Sequence, residues 1–269
     1  MGVKPLSPLD LSIAACLLIV LGLLSRRLKL GLEKQLAVSA LRTTVQLLLI
    51  GQVLRVLFAH GSLIFVVAIS MVMLAVAGRE VMARQHRRLR GSQGWLLGTG
   101  SMFISSFSVA FIALAVIIAN DPWYTPQYAI PLLGMLLGNT MNGISLSMDR
   151  MTETLWQQRQ LVEQRLLLGE TGNEATAEIR RQAMRSGMIP IINSMAAAGL
   201  VSLPGMMTGQ ILGGSSPMDA VKYQILIMFL IAAGTGFGVM SAMWLLTRRL
   251  FDDRDRLQLD QLHTSTSSR

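Results

Sequence analysis

The chain has 269 residues, 52% of them hydrophobic and 14% charged, with a mean hydropathy of +0.50 and a net charge of +9. Soluble domains carry about 25% charged residues, so the composition excludes a disordered, collagenous or ordinary water-soluble chain. At about 20 residues per membrane helix the length holds about six to eight spans. It leaves no room for a nucleotide-hydrolysing domain, which needs roughly 150–200 residues more.

Charge-free runs and turn signals place the predicted elements. The first span is 9–25, with Lys4 before it and Arg26-Arg27 behind it. Ile13-Ala14-Ala15-Cys16 looks like a lipoprotein cleavage box, but most of the apolar stretch follows Cys16, so the segment reads as an uncleaved span. Segment 36–58 is apolar between Arg42 and Arg55 and counts as the second span. The others are 62–78, 95–119, 128–148, 188–209 and 223–247, separated by turn clusters such as Asn120-Asp121-Pro122 and Ser215-Ser216-Pro217. The sequence therefore predicts an all-α integral membrane protein of about seven transmembrane helices.

The basic residues orient it. Segments 26–35, 79–90 and 149–187 and the tail after 247 hold 20 of the 24 Lys and Arg residues. The opposite set of connections holds Lys4 and Lys222. Basic loops face the cytoplasm, which puts the N-terminus outside and the C-terminus inside, in a multi-pass protein of the cell's inner (plasma) membrane. The +9 then reports orientation and contact with membrane lipid, and no nucleic-acid partner is expected. Cys16 and the scattered His60, His86 and His263 offer neither a disulfide framework nor a Cys/His metal site. No cofactor is predicted.

The chain divides into spans one to five over 1–148, a cytoplasmic loop over 149–187, spans six and seven over 188–247, and a polar cytoplasmic tail over 248–269. The loop reads as a helical hairpin. Residues 151–169 are strong helix formers with Leu155, Val162 and Leu166 on one face, and Gly169 supplies a stop. Thr171 and Glu174 have capping-box spacing for a second helix through Arg180-Arg181. Such a hairpin either lies on the membrane surface or docks a cytoplasmic partner.

Polar groups at membrane depth are functional candidates. Arg42 and Gln46 share a face of segment 36–58; a substrate-pathway role and snorkelling to the interface both fit Arg42, while snorkelling fits Arg55 better. Asn139, Asn142 and Asn193 suit either a pathway lining or hydrogen bonds between helices, and Gly134 with Gly138 suits close helix packing. Leu203-Pro204-Gly205 interrupts segment 188–209, making Pro204 and Gly205 candidates for a hinge or gate. The 18 methionines read as packing residues. Gly234-Thr235-Gly236-Phe237-Gly238 lies inside an apolar span and reads as a packing or flexing stripe, not a nucleotide loop. Asp121, Asp149 and Asp219 all fall at span ends, so no pair of embedded carboxylates is predicted, and no metal site with them.

The stretch from Gly199 to Gly214, followed by Ser216-Pro217 and Val221-Lys222-Tyr223-Gln224-Ile225, closely resembles the FetB-type iron-export permeases, a small ABC transporter family related to plant aluminium-tolerance permeases. Leu132-x-Gly134-Met135-x2-Gly138-Asn139-x-Met141 adds to the resemblance, which covers nearly the whole chain in its hydrophobic layout. It implies a non-catalytic permease that exports iron or another metal-related substrate. A separate ABC ATPase would hydrolyse the ATP, within a complex of two permeases and two ATPases. The chain has no Gly-x4-Gly-Lys-[Ser/Thr] loop of its own. By the same resemblance Glu163 and Gly169 match the spacing of an ATPase-coupling loop, with Gln164 and Arg165 in place of the alanines usual there. The alternative is an ion-coupled secondary transporter of a small solute, which would normally carry deep carboxylates.

Overall fold

A computed structural model of the chain describes residues 7–264 apart from residues 90 and 253. Of the basic residues that orient the sequence, Lys4, Arg90 and Arg269 lie outside the described residues. Helix α1 (Pro8–Arg27) opens on a capping box between Ser7 and Asp10 and closes on Arg26 and Arg27. Both ends complement the helix dipole. Helix α2 (Glu33–His60) ends at Gly61, whose φ of +52° suits a glycine. Helices α3 (Leu63–Ala83) and α4 (Gln93–Ile118) follow, and α4 contains two π-helical stretches, Phe103–Phe107 and Ala113–Ile118.

Helix α5 (Pro126–Gln157) has 32 residues. At 1.5 Å per residue it is about 48 Å long, well beyond the roughly 30 Å hydrocarbon core. Its last turns therefore enter the predicted loop 149–187 without a break. The rest of that loop is α6 (Arg159–Leu167), the short α7 (Gly172–Ala175) and the first half of α8 (Ala177–Ala197). Helix α9 (Gly205–Leu212) precedes α10 (Pro217–Leu250), which opens on Ser216 accepting the Asp219 amide at 3.2 Å.

The core is built by α3, α4, α5, α8 and α10. Leu136, Ile144, Met148, Val239, Met243 and Leu246 are fully buried within it. Helices α1 and α2 sit at its margin, with leucines, isoleucines and valines exposed all round, as suits contact with lipid. Helices α3 and α5 run in parallel: Gly134 lies against Met73, and farther along Gln85 reaches Met148. Helices α5 and α10 are parallel too, Gly234 lying against Leu136 and Gly238 against Thr140 and Ile144. The chain must therefore return the length of the bundle between Gln157 and Pro217, which it does through α8 and α9.

That return takes a different form from the single segment 188–209 of the sequence reading. Among the described residues six helices are long and apolar enough to cross a membrane, and segment 188–209 is not one of them. Pro190 is accommodated inside α8, but the helix ends at Ala197. Ala198 is extended, and Gly199 takes a φ of +89°. The freed Ala197 carbonyl accepts the amides of Val201 and Ser202 at 3.1 and 3.2 Å. The break thus begins five residues before the predicted Leu203-Pro204-Gly205.

Among the described residues the helices are joined by one small ribbon. Strand β1 (Arg87–Leu89) pairs antiparallel with β2 (Leu262–Thr264), Leu89 facing Leu262. The predicted polar tail thus folds back on the loop after α3.

Candidate functional site

The polar groups gather at the end of the bundle that carries α6 and α7. On α2, Arg42 pairs with the Glu80 carboxylate of α3. The other Glu80 oxygen lies 3.9 Å from Arg84, one turn on, and Arg84 donates to Asn142 Oδ1 of α5. Arg42, Glu80, Arg84 and Asn142 thus form a continuous polar chain across three helices. The Arg42 and Arg84 side chains are 49% and 47% exposed and that of Glu80 21%, so the chain lines the surface of the bundle and not its core.

Two of the five predicted pathway residues, Arg42 and Asn142, are brought together here. The residues that join them, Glu80 and Arg84, were assigned by charge to a cytoplasmic loop. A signal for them existed: Ser70, Leu74, Ala77 and Val81 are all buried, so the helical apolar spacing runs through residue 81 although the charge-free run stops at 78. The other three candidates stand apart. Gln46 and Asn193 are exposed on α2 and α8. Asn139 donates to the Met135 carbonyl of its own helix at 2.8 Å.

A second polar cluster was not foreseen. Ser101, Ser105, Ser106, Thr140 and Thr235 are buried, with no hydrogen-bond partner for their hydroxyls among the described residues. Ser105 and Thr140 face Gly238, where the first π-helical stretch of α4 meets α5 and α10. Elsewhere in the bundle Ser70, Ser147 and Thr247 satisfy their hydroxyls on the carbonyl four residues back. Among the described residues no three His, Cys, Asp or Glu side chains converge on a metal-sized site.

The hairpin is tightly anchored. Leu155 and Val162 are buried and Leu166 packs partly on the core, the face expected from sequence. Gly169 turns the chain at φ +94°. Glu163 is exposed on α6, while Leu167 and Leu168 are 87% and 85% exposed at the tip. Behind the tip, Asp255 of the folded-back tail accepts the Gly172 amide at 2.8 Å, and Phe251 packs on Gly172. Arg87 pairs with Glu153 at 2.9 Å and stacks over Trp156, tying the β1 loop to α5. Pro204 caps α9 and Gly205 is its first residue, at the far side of the break.

The capping box behind the tip carries a pH dependence. Glu174 accepts the Thr171 amide at 2.9 Å, and Thr171 accepts the Glu174 amide at 3.3 Å. The Thr171 amide first, and its hydroxyl second, hold the Glu174 carboxyl below the ordinary glutamate value. A lowered folded-state value means that the cap's stabilisation is complete above the unfolded value and is lost as pH falls through the folded one. Amide exchange at Thr171 and Glu174 is expected to accelerate only below the ordinary glutamate range. E174Q should abolish that acid step, and an unchanged step would assign it to another group.

A model of UPF0014, described as an uncharacterised protein family, matches residues 8–251. The chain is 39% identical over 229 residues to "UPF0014 membrane protein slr1647" of Synechocystis, covering 85% of this chain and 87% of that protein. It is 31% identical over 254 residues to "Probable iron export permease protein FetB" of Escherichia coli, covering 94% and 95%. It is also 31% identical over 247 residues to "Protein ALUMINUM SENSITIVE 3" of Arabidopsis thaliana, covering 91% and 88%. No solved structure matches.

Proposed function

The chain belongs to the UPF0014 membrane protein family, and from this premise we propose that it is the transmembrane subunit of an ABC transporter, powered by a separate ATPase. The observation that carries the reading is the hairpin tip. Two adjacent leucines stand almost fully exposed on an element continuous, through α5 and α8, with the helices of the core. Exposed paired leucines at a rigid tip suit a partner's apolar cleft, and an unbroken α5 would carry motion from that contact into the bundle.

In this reading the hairpin end is cytoplasmic, the N-terminus is outside, and α8 with α9 makes the sixth of seven crossings in the inner membrane. Glu163 and Gly169 belong to the ATPase contact, Pro204 and Gly205 to a hinge. Two copies of the chain pair with two ATPases, with Arg42, Gln46, Asn139, Asn142 and Asn193 toward the substrate pathway. The relative named as an iron export permease suggests export of iron or a related metal species. The segments 1–148, 149–187, 188–247 and 248–269 keep their roles as spans, coupling loop, spans and tail.

The test is co-purification with the candidate ATPase and ATP-dependent transport in proteoliposomes. Replacing Glu163 with Ala and Gly169 with Val is expected to reduce coupled transport by about tenfold or more, a loss equivalent to one charged contact and one strained turn. Intact transport in both variants would remove these two residues from the coupling contact. One observation favours the ion-coupled alternative: Glu80 is a carboxylate inside α3, a helix long and apolar enough to cross a membrane. Transport that persists with a hydrolysis-dead ATPase would decide for that alternative.

A further inference from the structure

The polar chain of Arg42, Glu80, Arg84 and Asn142 holds two guanidinium groups against one carboxylate. Its formal charge is therefore +1, on helices long and apolar enough to cross a membrane, where an uncompensated charge is costly. Each guanidinium has five N–H donors in a planar fork. Arg42 commits donors to Glu80, and Arg84 to Asn142. Both side chains are about half exposed, and each guanidinium has more donors than these bonds use. Asn142 accepts from Arg84 through Oδ1, which leaves its amide N–H pair to donate. Because Arg42 and Arg84 meet opposite oxygens of one carboxylate, their heads are already within the span of a single small ligand.

We infer that Arg42, Arg84 and Asn142 form a binding site for an oxyanion-bearing solute, a carboxylate- or phosphate-bearing species, with Glu80 as the internal counter-ion that the ligand displaces. Planar guanidinium groups match carboxylate and phosphate oxygens two at a time. Glu80 occupies that place in this structure and keeps the two arginines from repelling each other. The inference rests on the permease reading and gives it a substrate class: a metal carried through this protein would travel as an anionic chelate, gripped by its ligand's oxygens. Glu80 also links α2, which is otherwise marginal to the core, to α3. Displacing it releases the ion pair across the α2–α3 contact, so that binding and helix movement are one event.

The full-length chain in phosphatidylcholine nanodiscs, without any ATPase, is titrated by equilibrium dialysis with labelled citrate, pyrophosphate and ferrous ion. Citrate or pyrophosphate is expected to bind. R42Q and R84Q should each weaken that binding by about tenfold, as for one lost charge-assisted contact. E80Q, nearly isosteric, should tighten it by a similar factor, because it removes the competing negative charge. A purely structural Glu80 would give the opposite sign. Ferrous binding that disappears in E80Q, with no oxyanion binding, overturns the inference. In discs containing phosphatidylglycerol, retention of that lipid in place of citrate, lost in R84Q, assigns the arginines to a headgroup and overturns the solute reading. Since no ATPase is present, none of these results bears on the ABC assignment, which co-purification tests separately.

Discussion

Replacing Gly187 with leucine is expected to abolish accumulation of folded protein. A Cβ at Gly187 would overlap the Ser147 hydroxyl and fall 2.5 Å from the Gly143 carbonyl oxygen of α5. Gly143 is itself closed in, since its own Cβ would come within 2.6 Å of Thr235 on α10 and 3.1 Å of the Gly187 carbonyl. The obstacles to a Gly187 side chain include the α5 backbone, so it cannot be fitted by rotamer changes alone. Overpacking a well-packed site costs about 1–3 kcal/mol and sometimes more, and an entire leucine driven against the α5 backbone belongs at or beyond the upper end. The measurement is the monodisperse fraction and thermal midpoint of the detergent-solubilised protein. The control is G138A: nothing lies within 4 Å of a Cβ there, so it should leave both values unchanged. A G187L protein as stable as its parent would show that α5, α8 and α10 do not pack as closely as their glycines indicate.

The second large effect is expected at the hairpin tip. Changing Leu167 and Leu168 together to aspartate should weaken assembly with the ATPase by about 100-fold or more, taking about 1.5–3 kcal/mol for each buried leucine. The fold should be untouched, because both side chains already face solvent. L155D is the contrasting variant: Leu155 is fully buried, so its loss should unfold the hairpin before any question of docking arises. Pull-down and size-exclusion of the paired proteins read the first effect, and thermal melting of the permease alone separates it from the second. Full assembly by the doubly substituted protein would place the docking surface elsewhere, with the exposed Glu163 face of α6 the next region to probe.

Much of this architecture follows from local chemistry and was legible in the residues. The long apolar runs, the capping box at Thr171, the stop at Gly169 and the buried face of Leu155 and Val162 each depend on hydropathy, spacing or a single turn. The glycines of α10 also behave as the packing stripe their context suggested: Gly234 and Gly238 approach α5, and Gly236 approaches Met188 of α8. The candidate site was half legible. Arg42 and Asn142 stood out as polar residues in apolar surroundings, whereas a criterion that ends spans at the first charge discarded Glu80 and Arg84.

What the sequence determined by itself is that the chain lives in a membrane, where its long apolar helices run and where the hairpin turns, because those properties are carried by neighbours within a few residues. Tertiary structure decided the rest. It chose Gly143 and Gly187 over Gly138 as the close helix contact, because a glycine matters only where another backbone arrives. It ended α8 at Ala197, where the freed Ala197 carbonyl finds new donors within the turn. It drew the tail back onto β1 and α7. It also joined Arg42 to Asn142 through Glu80 and Arg84, an association of residues far apart in the chain that charge alone could not specify, since it requires three helices to present them at one depth.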